Sequence, residues 1–293
     1  MSHRLARFVI VALALPLLAA CAGRGIPQPI VEGEQPAARA ILAASAEAHG
    51  LAAWNQLQDV SVAYAGDWYG LVARLQPTLI DAGFRQGSEE RLLLGSRPLV
   101  GQQHAGPAGG KHVLRAATGV QVSYDGVPAA DPEVLAAAAL VADGYRMFLN
   151  GPFHFLDGNA HLETAGSETV DGLACDVILA VRRPGHGLSA EDRYLLYIDR
   201  DQRWLRRIRF TMEGLAATRG AVAEVDFLEH RRMAGVIWPV RSHERLKKPI
   251  PDLPVHDWRL VGFDVNRGMT AADLAVPGFA GHARAPARAL AAP

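Results

Sequence analysis

Two histidines and an aspartate lie close together in the middle of the chain, in a pattern that could hold a metal ion. They are His154, Asp157 and His161, an H-x2-D-x3-H arrangement. Imidazole nitrogens and carboxylate oxygens are ligands for zinc and iron, and such an ion can activate water for hydrolysis. Gly158 and Asn159 form a turn signal, so the three side chains converge only if a hairpin brings them together. Since the chain has 11 histidines, chance spacing is the alternative explanation.

The sequence has no motif for nucleophilic catalysis or phosphate binding. It contains no G-x-S-x-G motif, and the glycine-rich segment 106–111 is followed by His112 instead of the serine or threonine of a phosphate loop. We therefore predict that the protein is not an enzyme and needs no cofactor. A metal-dependent periplasmic hydrolase that uses His154, Asp157 and His161 is the alternative.

The N-terminal segment has the layout of a secretory signal. Arg4 and Arg7 precede an apolar run over residues 8–18, and two alanines complete the segment. The apolar run is shorter than the about 20 residues that a membrane-spanning helix needs. The sequence therefore predicts a cleaved signal peptide over residues 1–20.

Cys21 follows this segment directly, in the sequence Leu-Ala-Ala-Cys. This resembles the bacterial lipobox, in which the cysteine carries acyl chains such as palmitate and becomes the new N-terminus. The resemblance implies membrane lipid as a partner through acylated Cys21, and Ala22 in place of an aspartate implies the periplasmic face of the outer membrane. Several acyl chains make a firm anchor, since each buried CH₂ contributes about 0.8 kcal/mol. Ordinary cleavage at the small residues Ala20 and Ala22 is the alternative.

Composition places the rest of the chain among ordinary globular proteins. Of its 293 residues, 49% are apolar and 20% are charged, which excludes a disordered chain. The 30 basic and 30 acidic residues balance, and this argues against nucleic acid as a partner. The chain has two cysteines, and Cys175 lies in an apolar alternating run, which predicts a buried core residue.

Local composition divides the chain into segments. Residues 21–36 are rich in glycine and proline and predict a lipidated N-terminus with a flexible tether. Residues 37–276 are predicted to form one folded domain. Residues 277–293 are rich in alanine, proline and arginine and predict a disordered tail.

Two helices and many strands are predicted within the domain. Helix-forming residues after Pro36 predict a helix up to His49, and the sequence Asp-Pro-Glu at 131–133 begins a second, inserted helix. Alternating apolar runs separated by polar turns predict antiparallel strands. The strand-like runs are residues 60–68, 83–94, 111–116, 120–124, 161–169, 173–183, 192–198, 204–212, 221–229, 236–246 and 257–265.

Three stretches of the chain resemble a known superfamily of periplasmic carriers. Residues 194–210 contain an aromatic strand, an aspartate-initiated turn and a second strand with alternating arginines. Together with residues 48–57 and 233–240, this stretch is similar to the LolA/LolB/LppX-like lipoprotein-carrier superfamily. The resemblance implies a mainly β (α+β) fold, a curved antiparallel half-barrel sheet with an N-terminal helix and an inserted helix covering the concave face. It also implies an apolar cavity between sheet and helices that takes acyl chains.

A curved sheet of this kind needs one continuous apolar face. The alternating residues that supply it are Val60, Val62, Tyr64, Trp68, Cys175, Val177, Leu179, Val181, Val225, Phe227, Val261, Phe263 and Val265. An ordinary sheet over a packed core would have the same alternation. The ligand cavity and the packed core therefore both remain open at this stage.

The ligand-binding residues are predicted around the end of the inserted helix and on the first strand. Aromatic and methionine side chains line adaptable apolar pockets. The predicted set is Trp68, Tyr145, Met147, Phe148, Phe153 and Phe155. A helix end that packs on the sheet would explain the same residues.

These observations predict an outer-membrane-anchored periplasmic lipoprotein of the bacterial cell envelope that binds or passes an apolar ligand, either a lipid or a lipidated protein. A structural envelope lipoprotein without a ligand is a further alternative. Arg207 and Arg209 alternate with apolar residues, so they are predicted on the solvent-facing side of their strand. Lipid phosphates or an acidic partner could bind there.

Overall fold

A computed structural model describes residues 25–30, 33, 35–95 and 98–276 of the chain. The predicted signal peptide, Cys21 and the predicted tail lie outside the described residues. Within these ranges, no helix combines the length and the apolar character that a membrane crossing requires.

The first helix, α1, spans Pro36–His49. Proline at its first position already has the backbone angle of a helix, and alanine-rich residues continue it. Gly50 ends α1 with a φ of 97°, and its N–H donates to the carbonyls of Ala46 and Glu47. A side chain is excluded at Gly50, because an added Cβ would lie 2.4 Å from the carbonyl oxygen of Gly235. The predicted N-terminal helix is confirmed.

The other helices include the predicted insertion and several short elements. They are α2 Leu51–Trp54, α3 Gly70–Leu75, α4 Pro77–Ile80, α5 Pro132–Asn150 and α6 Ala271–Leu274, with 3-10 turns at Ala82–Phe84, Gly151–Phe155 and Ala216–Thr218. The Asp131 carboxylate caps α5 by accepting a hydrogen bond from the N–H of Glu133 at 2.8 Å. The short helices α3 and α4 lack the periodic pattern from which the long helices are predicted.

Within the described residues, 13 strands form one sheet. In chain order they are β1 Asp59–Trp68, β2 Gly87–Leu93, β3 Leu99–Gly106, β4 Gly109–Ala116, β5 Gly119–Tyr124, β6 Val127–Pro128, β7 Ala160–Val170, β8 Leu173–Arg182, β9 Asp192–Asp199, β10 Leu205–Thr211, β11 Val222–Met233, β12 Val236–Lys248 and β13 Leu253–Val265. The hairpins after β5 and β7 turn through Asp-Gly pairs, at Asp125 and at Asp171, where both residues of each pair have positive φ.

The strand order is β6-β5-β4-β3-β2-β1-β13-β12-β11-β10-β9-β8-β7. Every neighbouring pair is antiparallel. β1 joins the two halves by pairing with β13, where Val60 lies opposite Val265. Within the described chain, β6 and β7 each pair with one strand, so the sheet does not close.

Both long helices lie on one face of this sheet. α5 contacts β3, β4 and β5 in one half and β12 in the other, and α1 contacts β7, β8, β9 and β12. One helix can touch strands so far apart only if the sheet curves around it. The predicted mainly β half-barrel, with an N-terminal and an inserted helix on its concave face, is confirmed.

The apolar face assigned from the sequence needs a correction at β8. Cys175, Val177, Leu179 and Val181 form a separate buried cluster with Ile26 on the outer face, whereas their neighbour Ile178 belongs to the main core with the helices. Cys175 is buried, as predicted. β8 is apolar on both faces, so alternation alone does not reveal which face meets the helices.

A second correction concerns Val261 of β13, which is 43% exposed instead of lying on the apolar face. The pairing of β1 with β13 shifts register between Ala63 and Tyr64, and their partners on β13 skip Val261. A bulge of this kind changes which residues of a strand point inward. Val261 is therefore exposed at the bulge, while Phe263 and Val265 still pack against the core as predicted.

The inward-facing core residues of β13 before this bulge are Trp258 and Leu260, which pack with the helices. Trp258 lies opposite Gly66 and Leu260 opposite Tyr64 in the pairing with β1. An added Cβ at Gly66 would lie 2.2 Å from the carbonyl oxygen of Asp257, so only glycine allows β1 and β13 to approach this closely here.

The arginines of β10 are also placed differently from the prediction. Arg209 is buried on the outer face and pairs with Glu224 at 2.6 Å, and Arg207 pairs with Asp226. Arg245 of β12 binds both carboxylates, each at 2.6 Å. These arginines are therefore held by carboxylates of the neighbouring strand instead of facing solvent, because acidic residues occupy the register positions beside them.

The N-terminal segment that the sequence predicts as a tether contacts the sheet where it is described. Ile26 is buried against the outer face of β8 and β9. Arg193 donates through Nη1 to the carbonyl oxygens of Ile26 at 2.7 Å and Pro27 at 3.1 Å. The N–H of Ile30 donates to Glu163 at 3.1 Å. Residues 25–30 thus cover the apolar outer face of β8.

The concave face of β2, β3 and β4 carries buried polar residues. Gln102 of β3 donates through Nε2 to Oε1 of Glu90 at 2.9 Å, and Lys111 of β4 binds Asp81 at 2.6 Å. These pairs explain why β3 escapes prediction: its inward positions include Gln102 and His104, so apolar alternation is missing. Burial raises the pKa of Glu90 to about 8.

Glu90 should therefore make the stability of the protein fall as the pH rises. An acid whose folded pKa lies above its unfolded pKa favours the folded state when protonated, and that contribution is lost as the pH rises towards the folded pKa. In Glu90→Gln the acceptor oxygen for Gln102 remains, but no charge is buried. Wild type alone loses this contribution, so the free energy of unfolding of the variant should increase relative to that of wild type as the pH rises. We expect the difference to grow by on the order of 1 kcal/mol per pH unit between about pH 5 and about pH 8.

Urea unfolding of both proteins across this pH range measures the difference, in which the titration of all other groups cancels. Glu168→Gln is the control, because Glu168 is exposed on β7 and loses little hydration on folding. If the free energy of unfolding changes with pH in the same way in Glu90→Gln and in wild type, the prediction is wrong.

Candidate ligand cavity

A cavity of about 610 Å³ lies between the concave face of the sheet and the helices. One wall is α5, a second is the pair α3 and α4, and a third consists of β10, β12 and the loop between β10 and β11. Small-molecule sites commonly have volumes of about 300–1,000 Å³. The cavity therefore has the size of a site for a small ligand or an acyl chain.

The wall formed by α5 is apolar because of the helical repeat in its sequence. Leu140, Gly144 and Phe148 recur at every fourth position and share one helix face with Val141 and Tyr145, and all five line the cavity. Gly144 leaves room at the centre of this wall. A Cβ added there would meet only ring atoms of Phe148, at 3.8 and 3.9 Å, which is ordinary contact.

The opposite walls are also largely apolar. The contributing side chains include Val72, Leu79, Ile80, Phe210, Met212 and Leu246. Gln76 at the start of α4 donates through Nε2 to the carbonyl oxygen of Ala217 at 3.1 Å. This hydrogen bond connects the helix pair α3 and α4 with the β10–β11 loop, and both segments line the cavity.

Trp68, at the end of β1, forms a rigid aromatic part of the wall. Its ring stacks on His256 with centroids 3.9 Å apart, and the Arg85 guanidinium lies 5.0 Å from the Trp68 ring centroid. His256 is hydrogen bonded through Nδ1 to the Tyr145 hydroxyl at 3.1 Å. Burial lowers the pKa of His256 to about 3, so the imidazole is neutral. These contacts hold Trp68 and Tyr145 in fixed positions.

Two titratable side chains lie in the inner wall. Burial raises the pKa of the Glu244 carboxyl to about 7, against the opposing effect of the Arg85 charge. Glu244 can therefore be neutral in an apolar cavity near neutral pH. His186 is held by the Tyr194 hydroxyl at 3.0 Å and by the Asp192 carboxylate at 3.2 Å.

The outer end of the cavity is lined by exposed residues. Leu75 is 50% exposed and Ile250 is 42% exposed. Arg219 and Lys248 are exposed and line the cavity as well. We call these four residues the mouth of the cavity. The mouth combines apolar and cationic side chains, whereas the interior is mainly apolar.

The structure places three of the six predicted ligand-binding residues at this cavity, namely Trp68, Tyr145 and Phe148. The other three lie elsewhere in the core. Met147 is fully buried, Phe153 stacks on Trp54 with centroids 4.4 Å apart, and Phe155 packs against Tyr194. Helical geometry explains the division on α5, since Met147 points away from the face shared by Tyr145 and Phe148.

Several cavity-lining residues are not among those predicted from the sequence. They lie on α3, on α4 and in the 217–221 segment of the β10–β11 loop. The segment from Gly70 to Ile80 has apolar residues, but its two helices are too short to produce a clear helical period. No sequence signal identifies these residues as parts of one wall.

The three candidate metal ligands are not arranged as a metal site. Arg182 binds the Asp157 carboxylate at 2.7 and 2.9 Å, and His161 Nε2 lies 2.8 Å from Glu163 Oε1. His154 packs against Phe155, and burial lowers the pKa of its imidazole well below the ordinary value. Among the described residues, no three His, Cys, Asp or Glu side chains are grouped so that they could hold an ion.

Comparison with known proteins supports the fold assignment. No protein-family model matches the sequence, and no curated protein matches it. A solved structure of a DUF1329 family protein from Desulfovibrio piger matches with a TM-score of 0.51 and 11% identity, over 81% of this chain and 96% of that chain. A LolA superfamily protein from Nitrosomonas europaea matches with a TM-score of 0.49 and 11% identity, over 82% of this chain and 97% of that chain.

A further match is a putative outer membrane lipoprotein-sorting protein domain from Vibrio parahaemolyticus, with a TM-score of 0.43 and 7% identity, over 81% of this chain and 97% of that chain. At identities this low, the likeness concerns the fold alone. The neighbours include a member of the LolA superfamily, the group that residues 48–57, 194–210 and 233–240 resemble.

Proposed function

We propose that the protein is a periplasmic lipoprotein, anchored in the bacterial outer membrane, that binds or passes an apolar ligand in the cavity of its half-barrel. The ligand is a lipid or the acyl chain of a lipidated protein. The observation that carries this proposal is the cavity of about 610 Å³ between the sheet and α5, with its apolar walls.

The walls of the cavity favour an alkyl chain over a polar ligand. Phe148, Phe210 and Leu140 are buried and offer no hydrogen bonds, so a polar group would lose hydration there without compensation. Apolar surface gains roughly 25 cal/mol for each Å² removed from water. An acyl chain could therefore replace water along most of the wall at a favourable free energy.

The cavity also argues against the alternative of a structural envelope lipoprotein that binds no ligand. A purely structural lipoprotein needs a packed core, since an apolar void loses dispersion contacts and destabilises the fold. Here Met147 and Phe155 are fully buried in the main core, whereas Trp68 and Phe148 line the cavity. This local departure from close packing supports a binding role.

The proposed anchor is acylated Cys21, which places the domain at the periplasmic face of the outer membrane. Its support comes from the sequence, where Cys21 follows a signal-like segment and precedes Ala22. The first described residues, 25–30, contact the outer face of the sheet. Only a few residues separate Cys21 from this contact, so the anchor would hold the domain close to the membrane.

Mass spectrometry of the full-length protein, expressed in a Gram-negative bacterium and extracted from its membranes in detergent, tests both parts of the proposal. We expect the denatured chain to lack residues 1–20 and to carry the mass of acyl chains on Cys21. Under native conditions we expect an additional, non-covalent lipid. A native mass equal to the covalent mass, unchanged after incubation with excess hexadecanoate, would contradict ligand binding, and an unacylated N-terminus would contradict the anchor.

A further inference from the structure

We propose that the ligand is an amphiphile with an anionic head group, held at the mouth of the cavity by Arg219 and Lys248 while its alkyl chain occupies the apolar interior. This inference rests on the proposed function and adds the chemical class of the ligand. Fatty-acid carboxylates and lipid phosphates share this chemistry.

The two cations reach the mouth from neighbouring segments of the chain. Lys248 is the last residue of β12 and lies opposite Val222, the first residue of β11. Arg219 precedes Val222 by three positions, in the β10–β11 loop. Both side chains line the same cavity. A head group at the mouth could therefore contact both cations, while the chain points towards Phe148 and Trp68.

These two residues differ from the other basic residues of the same strands. Arg207, Arg209 and Arg245 pair with Glu224 or Asp226, and Lys247 pairs with Asp252. In the described part of the chain, the side chains of Arg219 and Lys248 form neither a hydrogen bond nor an ion pair. Their charges are thus available to a ligand, in contrast to those of the paired cluster on the outer face.

Nearby carboxylates have other partners in the structure. Glu213 accepts a hydrogen bond from the N–H of Gly220 at 3.2 Å, and Asp252 is held by Lys247. Glu244 also lines the cavity, and burial raises its pKa to about 7, which reduces its negative charge near neutral pH. The mouth is therefore cationic beside an apolar interior, which is the arrangement that an anionic amphiphile requires.

Binding of three ligands that share one chain tests this inference. The probes are hexadecanoate, hexadecyl phosphate and uncharged hexadecanol, titrated below their critical micelle concentrations into the full chain and followed by tryptophan fluorescence. We expect the purified wild-type protein to bind both anions more tightly than hexadecanol. In the double variant Arg219→Gln/Lys248→Gln, the affinity for the anions should fall about tenfold, whereas hexadecanol should bind as before.

The matched control is Arg241→Gln/Arg259→Gln. These two arginines are exposed and lie opposite each other on β12 and β13, but they do not line the cavity. This control removes the same net charge and should leave all three affinities unchanged. We call Arg219→Gln/Lys248→Gln the mouth variant. If it binds hexadecanol with wild-type affinity, its cavity is intact.

The outcomes test the head-group site and the cavity function separately. Loss of one anion but not the other would support the inference and identify the head group as carboxylate or phosphate. If the mouth variant binds the anions as wild type does, or if it loses hexadecanol equally, the head-group site is wrong while the cavity function stands. If wild type binds none of the three, the proposed function fails and this inference fails with it.

Discussion

Replacing Gly144 with leucine should strongly weaken ligand binding and leave the fold intact. Gly144 lies in the middle of α5 and faces the cavity, where a Cβ would meet only Phe148 at 3.8 Å. A leucine side chain would extend into the space that the alkyl chain needs. We expect the affinity for hexadecanoate to fall by at least about tenfold, because the ligand must compete with a covalently fixed apolar group.

The same substitution should not destabilise the protein. Glycine in a helix interior costs about 0.5–1 kcal/mol relative to alanine, so both alanine and leucine improve the helix. Gly144→Ala is the matched control, because one methyl group improves α5 but occupies little of the cavity. It should bind hexadecanoate nearly as wild type does and unfold at a slightly higher urea concentration.

Fluorescence titration and urea unfolding of both variants give the comparison. Wild-type affinity in a folded Gly144→Leu protein would mean that the ligand binds somewhere else. A strongly destabilised Gly144→Leu protein would mean that the cavity has less room than the structure indicates. The urea unfolding of Gly144→Ala would then show whether even one methyl group fits beside Phe148.

Removing the carboxylate of Asp143 should cause the largest loss of stability. Asp143 is buried on α5 and accepts hydrogen bonds from Arg115 Nε at 3.1 Å and Nη2 at 2.9 Å. It also accepts from the N–H of Gly187 at 2.9 Å and pairs with Arg146 at 3.1 Å. The carboxylate therefore ties α5 to β4 and to the β8–β9 loop.

In Asp143→Ala the Arg115 guanidinium stays buried without its counter-charge. Leaving one member of a buried ion pair unmatched costs about 3–5 kcal/mol, and we expect the free energy of unfolding to fall by that amount. Urea unfolding monitored by circular dichroism measures it. The control is Asp157→Ala, whose carboxylate is 44% exposed in its pair with Arg182, so about 1 kcal/mol or less should be lost.

A double substitution separates the buried charge from other effects. In Asp143→Ala/Arg115→Met, the unmatched guanidinium is absent, although the carbonyl oxygens of Ala116, Gly119 and Gly187 lose a donor. The loss in the double variant should be smaller than the sum of the two single losses. Additive losses would contradict the account in which Asp143 acts mainly by balancing Arg115.

Local signals in the sequence were sufficient to predict many elements of the fold. Pro36 and Gly50 mark the ends of α1, and Asp131 with Pro132 begins α5, because capping and proline geometry act within one helical turn. The Asp-Gly turns at residues 125–126 and 171–172 follow from the positive φ that these residues tolerate. Such features depend on neighbouring residues only, so one sequence is enough to recognise them.

Other features depend on which elements cover each face of the sheet. β3 lacks apolar alternation because Gln102 finds a buried partner in Glu90, 12 residues away in the chain. On β8, alternation does not distinguish Ile178, under the helices, from Val177, on the outer face. Arg209 looks solvent-facing in the sequence, but a carboxylate of the next strand holds it in a buried pair.

The sequence by itself thus determined the two long helices and most of the strands from local pattern. It determined the half-barrel class through the resemblance of residues 48–57, 194–210 and 233–240, and the candidate anchor Cys21 through the resemblance to a lipobox. Only the tertiary structure decided where the cavity lies, since its walls come from α5, α3, α4 and strands that are distant in the chain. It likewise separated Tyr145 and Phe148 at the cavity from Phe153 and Phe155 in the packed core. The physical reason is that periodicity reports which residues avoid water, whereas packing decides whether an apolar side chain meets another side chain or an open space.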